Sequence, residues 1–233
     1  MSAVLRETVG NIRILTLNRP DKLNAANLEM QLKLLEELQA VARNPDLRAL
    51  ILTGAGRAFS AGGDRNILQE MAAGSLPSDT HAQLGQVHID TILTLLRLDI
   101  PAIAAVAGPA VGYAAGLVAL CDMVVMGESG FLSDPHVHYG IAATTGTQMV
   151  WPRLASEIVV RDILMSGRKV GAEEALRIGL CNRVCPDADL RAVALEMAGT
   201  FADLPPGGVA GTKRAFNAPL IAEALKIGIE PQG

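Results

Sequence analysis

Cysteine is scarce in this chain: Cys121, Cys181 and Cys185 are the three thiols among 233 residues. So few, so unevenly placed, exclude a disulfide framework. The Cys181/Cys185 spacing has no second ligand pair after it, which argues for structural thiols and no metal site. The opening "MSAVLRETVG" lacks the charged-then-apolar pattern of a secretory signal, and a reducing cytoplasm is the expected compartment. Runs of Lys or Arg are missing too, and the formal net charge is −4, so the electrostatic footprint of a nucleic-acid binder is absent. Histidine is limited to four residues, yet two of them stand together in "FLSDPHVHYG", residues 131–140.

What the chain does have is apolar residues, which make up 50% of it, enough for a substantial core. Residues 101–121, "PAIAAVAGPAVGYAAGLVALC", carry no charge and mimic a membrane span in length. Two prolines and Gly108, Gly112 and Gly116 interrupt the run, so it reads instead as a buried strand, a glycine turn and a helix. Upstream, "AVLRETV" and "IRILTLN" form a hairpin pattern around Gly10-Asn11. A helix is expected from about Asn27, where Leu28, Leu32, Leu35, Leu38 and Val41 recur at helical steps, and "LRALILTGAG" reads as a buried strand. Residues 74–85 are polar and turn-rich and read as a loop, before helical spacing resumes with Val87, Ile92, Leu95 and Leu96. From Gly146 onward helices dominate, with 181–184 as the strand-like exception.

Two glycine-bearing turns carry the strongest chemical signal: "GRAFSAGGD" at 56–64 and "GPAVGYAAGL" at 108–117. Small residues let main chain approach a ligand closely, and the second turn feeds a helix whose first N–H groups have no intrahelical acceptor. Two such donors aimed at one point would make an oxyanion hole. For each turn taken alone, tight packing is the favoured explanation, since glycine turns after strands are common.

Taken with "NRPDKLNA" at 18–25, the two turns resemble the enoyl-CoA hydratase/isomerase (crotonase) superfamily, and the order of motifs continues through "CD" at 121–122, "PHVHYG" at 135–140 and "GRKVGAEEALRIGLCNRV" at 167–184. The match runs from about Thr8 to Lys213. The resemblance implies an α/β fold, a crotonase-like spiral of ββα turns in two sheets over residues 1–190, then a helical trimerisation region over 191–233. It implies an acyl-CoA thioester as substrate, with coenzyme A entering as part of that substrate and no separate cofactor. A homotrimer or hexamer is expected, with no membrane and no nucleic acid as partner. By position, the N–H groups of Gly63 and Tyr113 would hold the thioester carbonyl, the Tyr113 ring would narrow the acyl pocket, and Lys22, Leu23, Ala25, Ala61 and Asp64 would surround the coenzyme A end. Relatives usually continue past the Thr212-Lys213 helix into a tail over the acyl site, and this sequence stops short of one.

The chain also departs from the family's hydratases. Aligned on its motifs, Gly116 stands where the first catalytic glutamate is expected and His136 where the second is. An imidazole, with an ordinary pKa of ~6.5, can move protons near neutrality. In a subset of the superfamily, including the oxocamphor hydrolase type that cleaves carbon–carbon bonds, a histidine here is oriented by an Asp nine residues later. Here that residue is Thr145, which can orient a ring but offers it no charge. Asp134, two residues before His136, shares its face if the segment is extended and is the substitute expected. His138 would fall on that face as well and reads as structural. His88, on the helix that in the family flanks the acyl pocket, is a possible supporting group, and His81 in its loop has no assigned role. Trp151 reads as helix packing, Glu173-Glu174 as a helix start, and Asp122 as a turn or cap. The function expected is that of a hydratase/isomerase-type enzyme acting on an acyl-CoA thioester through an oxyanion-stabilised enolate, with His136 moving the proton; the alternatives are hydrolysis of a carbon–carbon bond or thioester, and non-catalytic acyl-CoA binding.

Overall fold

The computed structural model describes residues 2–143 and 146–227. The expected hairpin forms from β1 (Val4–Val9) and β2 (Ile12–Leu17), with Gly10 at φ 58° in the turn and Val9 opposite Ile12. The first helix, α1 (Leu28–Ala42), starts at Asn27, whose side chain accepts from the Met30 N–H. Next come β3 (Ala49–Gly54), α2 (Arg65–Ala72), α3 (Ser78–Arg97), β4 (Ala102–Val106), β5 (Pro109–Val111) and α4 (Tyr113–Ala119). The chain continues with β6 (Met123–Gly127), β7 (Phe131–Ser133), a 3₁₀ turn at His136–Tyr139, α5 (Thr147–Leu154) and α6 (Glu157–Ser166). It then forms β8 (Val170–Gly171), α7 (Ala172–Ile178), β9 (Arg183–Cys185), α8 (Leu190–Ala202) and α9 (Pro206–Ile227).

One sheet has strand order β1-β2-β3-β4-β6-β9 and the other β5-β7-β8. Successive strands alternate between them: β4 and β6 lie in the large sheet, β5 and β7 in the small one. Each turn of chain thus adds a strand to each sheet before a helical segment. A parallel bridge between Ser60 and Ala110 and another between Ala26 and Gly63 carry the earlier turns into the same arrangement.

The central strands β3, β4 and β6 of the large sheet are buried on both faces, which is why they read as continuous apolar runs. Ile12, Ile14, Ala49, Ile51, Ile103 and Ala105 pack beneath Leu190, Ala194 and Met197 of α8. The alternate residues Leu15, Leu17, Leu50, Leu52, Ala104 and Val106 face the main core with Leu34, Leu38 and Trp151. The uncharged run at 101–121 is divided into β4, β5 and α4, and no helix among the described residues is long and apolar enough to cross a membrane.

Two expectations are corrected here. Residues from Ser78 onward, expected in a loop, form the first turns of α3, whose exposed start lets Ser78, Asp79 and Thr80 replace apolar residues until Leu84 reaches the core. Asp122 is more than a turn former. Its carboxylate accepts the Ala102 N–H at 2.7 Å and pairs at 2.6 Å with Lys213, a nearly buried cation that ties α9 to the sheet.

Candidate active site

The first glycine turn is held by residues far away in sequence. Asn24, fully buried at φ 55°, donates through its side-chain amide to the carbonyls of Ala55, Ala58 and Phe59 at 2.9, 2.8 and 3.2 Å. Its own carbonyl accepts the Ser60 hydroxyl at 2.7 Å, and that hydroxyl in turn accepts the Gly62 N–H at 3.1 Å. The Ala26 N–H reaches the Gly62 carbonyl at 2.7 Å, and the Asp64 N–H reaches the Ala26 carbonyl at 3.1 Å. The amides on either side of Gly63 are therefore engaged, whereas the Gly63 N–H has no acceptor among the described residues.

The second turn is held by the small sheet. The Gly112 N–H donates to the Ser133 carbonyl at 2.8 Å, and the Val111 N–H to the Ser60 carbonyl at 3.1 Å. Tyr113 then opens α4, and its N–H also lacks an acceptor among the described residues. The turns touch: at Gly62 (φ 93°) an added Cβ would stand 2.5 Å from the Val111 carbonyl oxygen. Only glycine fits there.

Beside them lies the histidine segment. β7 ends at Ser133, Pro135 (φ −89°) turns the chain, and the 3₁₀ turn from His136 closes at Gly140 with φ 70°. The extended conformation that would put His136 and His138 on one face is therefore not formed. His138 turns away and its Nε2 bonds the Ser166 carbonyl at 2.8 Å, a structural tie to the end of α6. His136 packs over the second turn, where a Cβ on Gly112 would be 3.3 Å from its Cε1 and 3.8 Å from its Nε2.

Asp134 bonds Nδ1 of His136 despite the loss of extended geometry, because the turn folds the ring back over the carboxylate. Asp134 is fully buried, and its other oxygen accepts the Thr147 hydroxyl at 2.5 Å. Burial alone would raise its carboxyl, but the hydrogen bond and charge of the His136 ring, the Thr147 hydroxyl and the His136 main-chain N–H together hold it below the ordinary value. Thr145, named as the family-position partner, lies outside the described residues. Thr147 was not foreseen, since nothing local marks a hydroxyl that meets its partner across 13 residues of chain.

These groups border a cavity of about 670 Å³ lined by Gly63, Tyr113 and His136 and otherwise mostly apolar, with Leu68 and Met71 of α2 and Leu93 of α3 among its walls. Tyr113 and His88 form one wall, their rings tilted at 51° with centroids 5.4 Å apart. Burial pushes the Tyr113 phenol well above its usual range, and the neighbouring Thr91 hydroxyl offsets this only in part. His81, placed on α3 and not in a loop, is exposed and also borders the cavity. Of the five residues expected around coenzyme A, Ala61 lines the cavity. Lys22 and Leu23 belong to the turn before α1, where the Ala61 N–H donates to the Leu23 carbonyl at 2.8 Å and the Ala25 N–H to the Lys22 carbonyl at 3.0 Å. Ala25 and Asp64 are bridged by Arg19, which bonds the Ala25 carbonyl and pairs with the Asp64 carboxylate at 3.0 Å. Their main-chain acceptors are thus partly engaged by the protein itself. Groups of acidic, histidine or cysteine residues able to hold a metal are absent among the described residues.

Comparison with known proteins places this geometry. The profile of the enoyl-CoA hydratase/isomerase family matches residues 7–230. A probable enoyl-CoA hydratase of Mycobacterium tuberculosis is 33% identical over 227 residues, covering 94% of this chain and 78% of that protein. Carnitinyl-CoA dehydratase of Escherichia coli is 34% identical over 208 residues, covering 89% of this chain and 77% of its own length. Among solved structures, an enoyl-CoA hydratase/isomerase from Mycobacterium paratuberculosis superposes with a TM-score of 0.89 at 36% identity, covering 97% of this chain and 89% of that one. A monofunctional enoyl-CoA isomerase from M. smegmatis gives 0.80 at 30% identity, with both chains covered in full. The fold is the crotonase fold these neighbours share.

Proposed function

The chain belongs to the enoyl-CoA hydratase/isomerase family, and from that premise we propose that it transforms an acyl-CoA thioester with a histidine in place of the usual glutamates. The thioester oxygen is held by the Gly63 and Tyr113 N–H groups, which polarise the carbonyl and stabilise the enolate that forms when a proton is moved. Preorganised donors of this kind contribute roughly 10²–10³ in rate each. His136, anchored through Nδ1 by the Asp134 carboxylate, presents Nε2 beside Gly112 and carries the proton. A positioned acid/base of this type contributes about 10²–10⁴.

The observation that carries this reading is the pair of main-chain N–H groups without acceptors among the described residues, on two abutting turns next to the imidazole. Gly116, buried in α4, offers no second carboxylate. Proton transfer then rests on one imidazole, which suits isomerisation of an enoyl-CoA better than hydration by two carboxylates. Replacing His136 with Gln should abolish turnover while binding of acyl-CoA, followed by calorimetry, persists. Full activity of that variant would end the assignment.

The Asp134–His136 pair favours a second reading, in which His136 activates water for cleavage of a carbon–carbon bond or of the thioester. Mass spectrometry of products from enoyl-CoA esters and cyclic β-diketones separates the two. Assembly as a trimer or hexamer is part of the proposal and is tested by light scattering.

A further inference from the structure

The cavity wall contains a polar group that proton transfer does not use. Gln31, on α1, is 7% exposed and borders the cavity, and its side-chain amide makes no hydrogen bond among the described residues. Its neighbours at the same helical face, Met30, Leu34 and Leu38, are core residues. A glutamine in that row stands among apolar neighbours without a protein partner and presents its amide to the cavity, where a bound acyl chain would displace the water that can reach it. An amide both donates and accepts, so its complement is a hydroxyl or a carbonyl oxygen.

The charge of the wall narrows the choice. Among the described residues, those bordering the cavity include no Lys or Arg, and Asp90 is one of them. The Asp90 carboxylate is met by the neighbouring Gln86 amide at 3.0 Å and by no Lys or Arg among the described residues, so a second carboxylate brought into this mostly apolar space would meet repulsion with only the imidazoles of the wall to offset it.

Resting on the reading of the site as an acyl-CoA site, we propose that Gln31 selects acyl groups that carry an uncharged hydrogen-bonding group, a hydroxyl or a keto oxygen, beyond the thioester. The substrate class is then hydroxy- or oxo-acyl-CoA, with simple alkenoyl esters and dicarboxylic esters disfavoured. An unsubstituted chain leaves the Gln31 amide unmatched, whereas a carboxylate meets Asp90 and no Lys or Arg among the described residues. Sites built to hydrogen-bond a substrate group reject the analogue lacking it far more strongly than apolar pockets reject a missing methylene.

The test compares kcat/KM for three sets of enoyl-CoA esters of equal chain length: unsubstituted, bearing a distal hydroxyl or keto group, and bearing a distal carboxylate. Each is assayed on the wild-type protein and on Gln31→Leu, with the melting temperature of the variant recorded. Wild type should favour the hydroxyl or keto esters over the unsubstituted ones by roughly 100-fold, with the carboxylates poorest, and in Gln31→Leu that ratio should collapse toward unity. Equal kcat/KM for substituted and unsubstituted esters in wild type overturns the proposal, and so does a ratio that survives in a folded Gln31→Leu. Should Gln31→Leu not fold, the wild-type series alone decides. Binding of the same esters by calorimetry separates the two levels: esters bound and turned over without preference sink the Gln31 assignment alone, while failure to bind any CoA ester sinks the acyl-CoA reading and this inference with it.

Discussion

The two glycine turns expose the same group, a main-chain N–H without an acceptor among the described residues, but they are braced differently. The first adds side chains to its main-chain pairing with Ala26: the Asn24 amide from outside the turn and the Ser60 hydroxyl within it hold the loop that ends at Gly63. The second depends on main chain, through the β5–β7 ladder and the Gly112 N–H to the Ser133 carbonyl. A side-chain brace is broken by one substitution, whereas a ladder survives changes of side chain. The first turn is therefore the vulnerable half of the site, and the second is sensitive only where glycine itself is needed.

Substitutions can break that comparison. The largest effect is expected where the turns meet, since Gly62→Ala requires a left-handed conformation and puts a methyl 2.5 Å from the Val111 carbonyl oxygen. Turnover should fall on the order of 1,000-fold as the two N–H groups are forced apart. Steady-state kinetics with an enoyl-CoA reads this directly. Next, Asn24→Ala removes a buried amide that bonds three carbonyls and also leaves them unmatched, which should cost about 3 kcal/mol of stability. Urea denaturation measures it, and a loss confined to a few tenths would mean that the first turn is braced otherwise.

Asp134→Asn should lower kcat about 100-fold, by leaving the His136 ring without a charged partner while a hydrogen bond remains possible. It should also alter acid stability in a defined direction. Because the Asp134 carboxyl is held below its ordinary value in the fold, its stabilising contribution is complete above the unfolded-state pKa of about 3.9 and disappears as pH falls through the lower folded value. The gap in melting temperature between wild type and Asp134→Asn should accordingly be present at neutrality and close in strong acid. The smallest effect is assigned to Thr147→Val, about 10-fold in kcat with KM little changed, because it removes one of several groups that hold the carboxylate. Thr147→Ser should restore the loss.

Much of the scaffold was legible in the sequence because its signals are local. The Gly10 hairpin, α1 from about Asn27, and the strand-turn-helix reading of 101–121 follow from residue patterns within a few positions. The small sheet was not legible. β5, β7 and β8 are only 3, 3 and 2 residues long, too short for a period to appear, and they exist because β5 and β7 pair across the chain's winding. The same limit governs the site. The motif order located Gly63, Tyr113 and His136, and the two-residue spacing suggested Asp134. Asn24 and Thr147 act through partners as distant as 35 and 13 residues, and no short-range pattern in the sequence announces such contacts. The extended reading of 131–140 failed because Pro135 and Gly140 convert its second half into a 3₁₀ turn.

The pairing of the two N–H groups on one substrate oxygen is tested most directly by isotope-edited infrared spectroscopy. His136→Gln protein, loaded with an enoyl-CoA labelled with ¹³C at the thioester carbonyl, should show that carbonyl's stretch at lower frequency than in solution. Gly62→Ala in the same background should return it toward the free value. A stretch that does not move on binding would contradict the account.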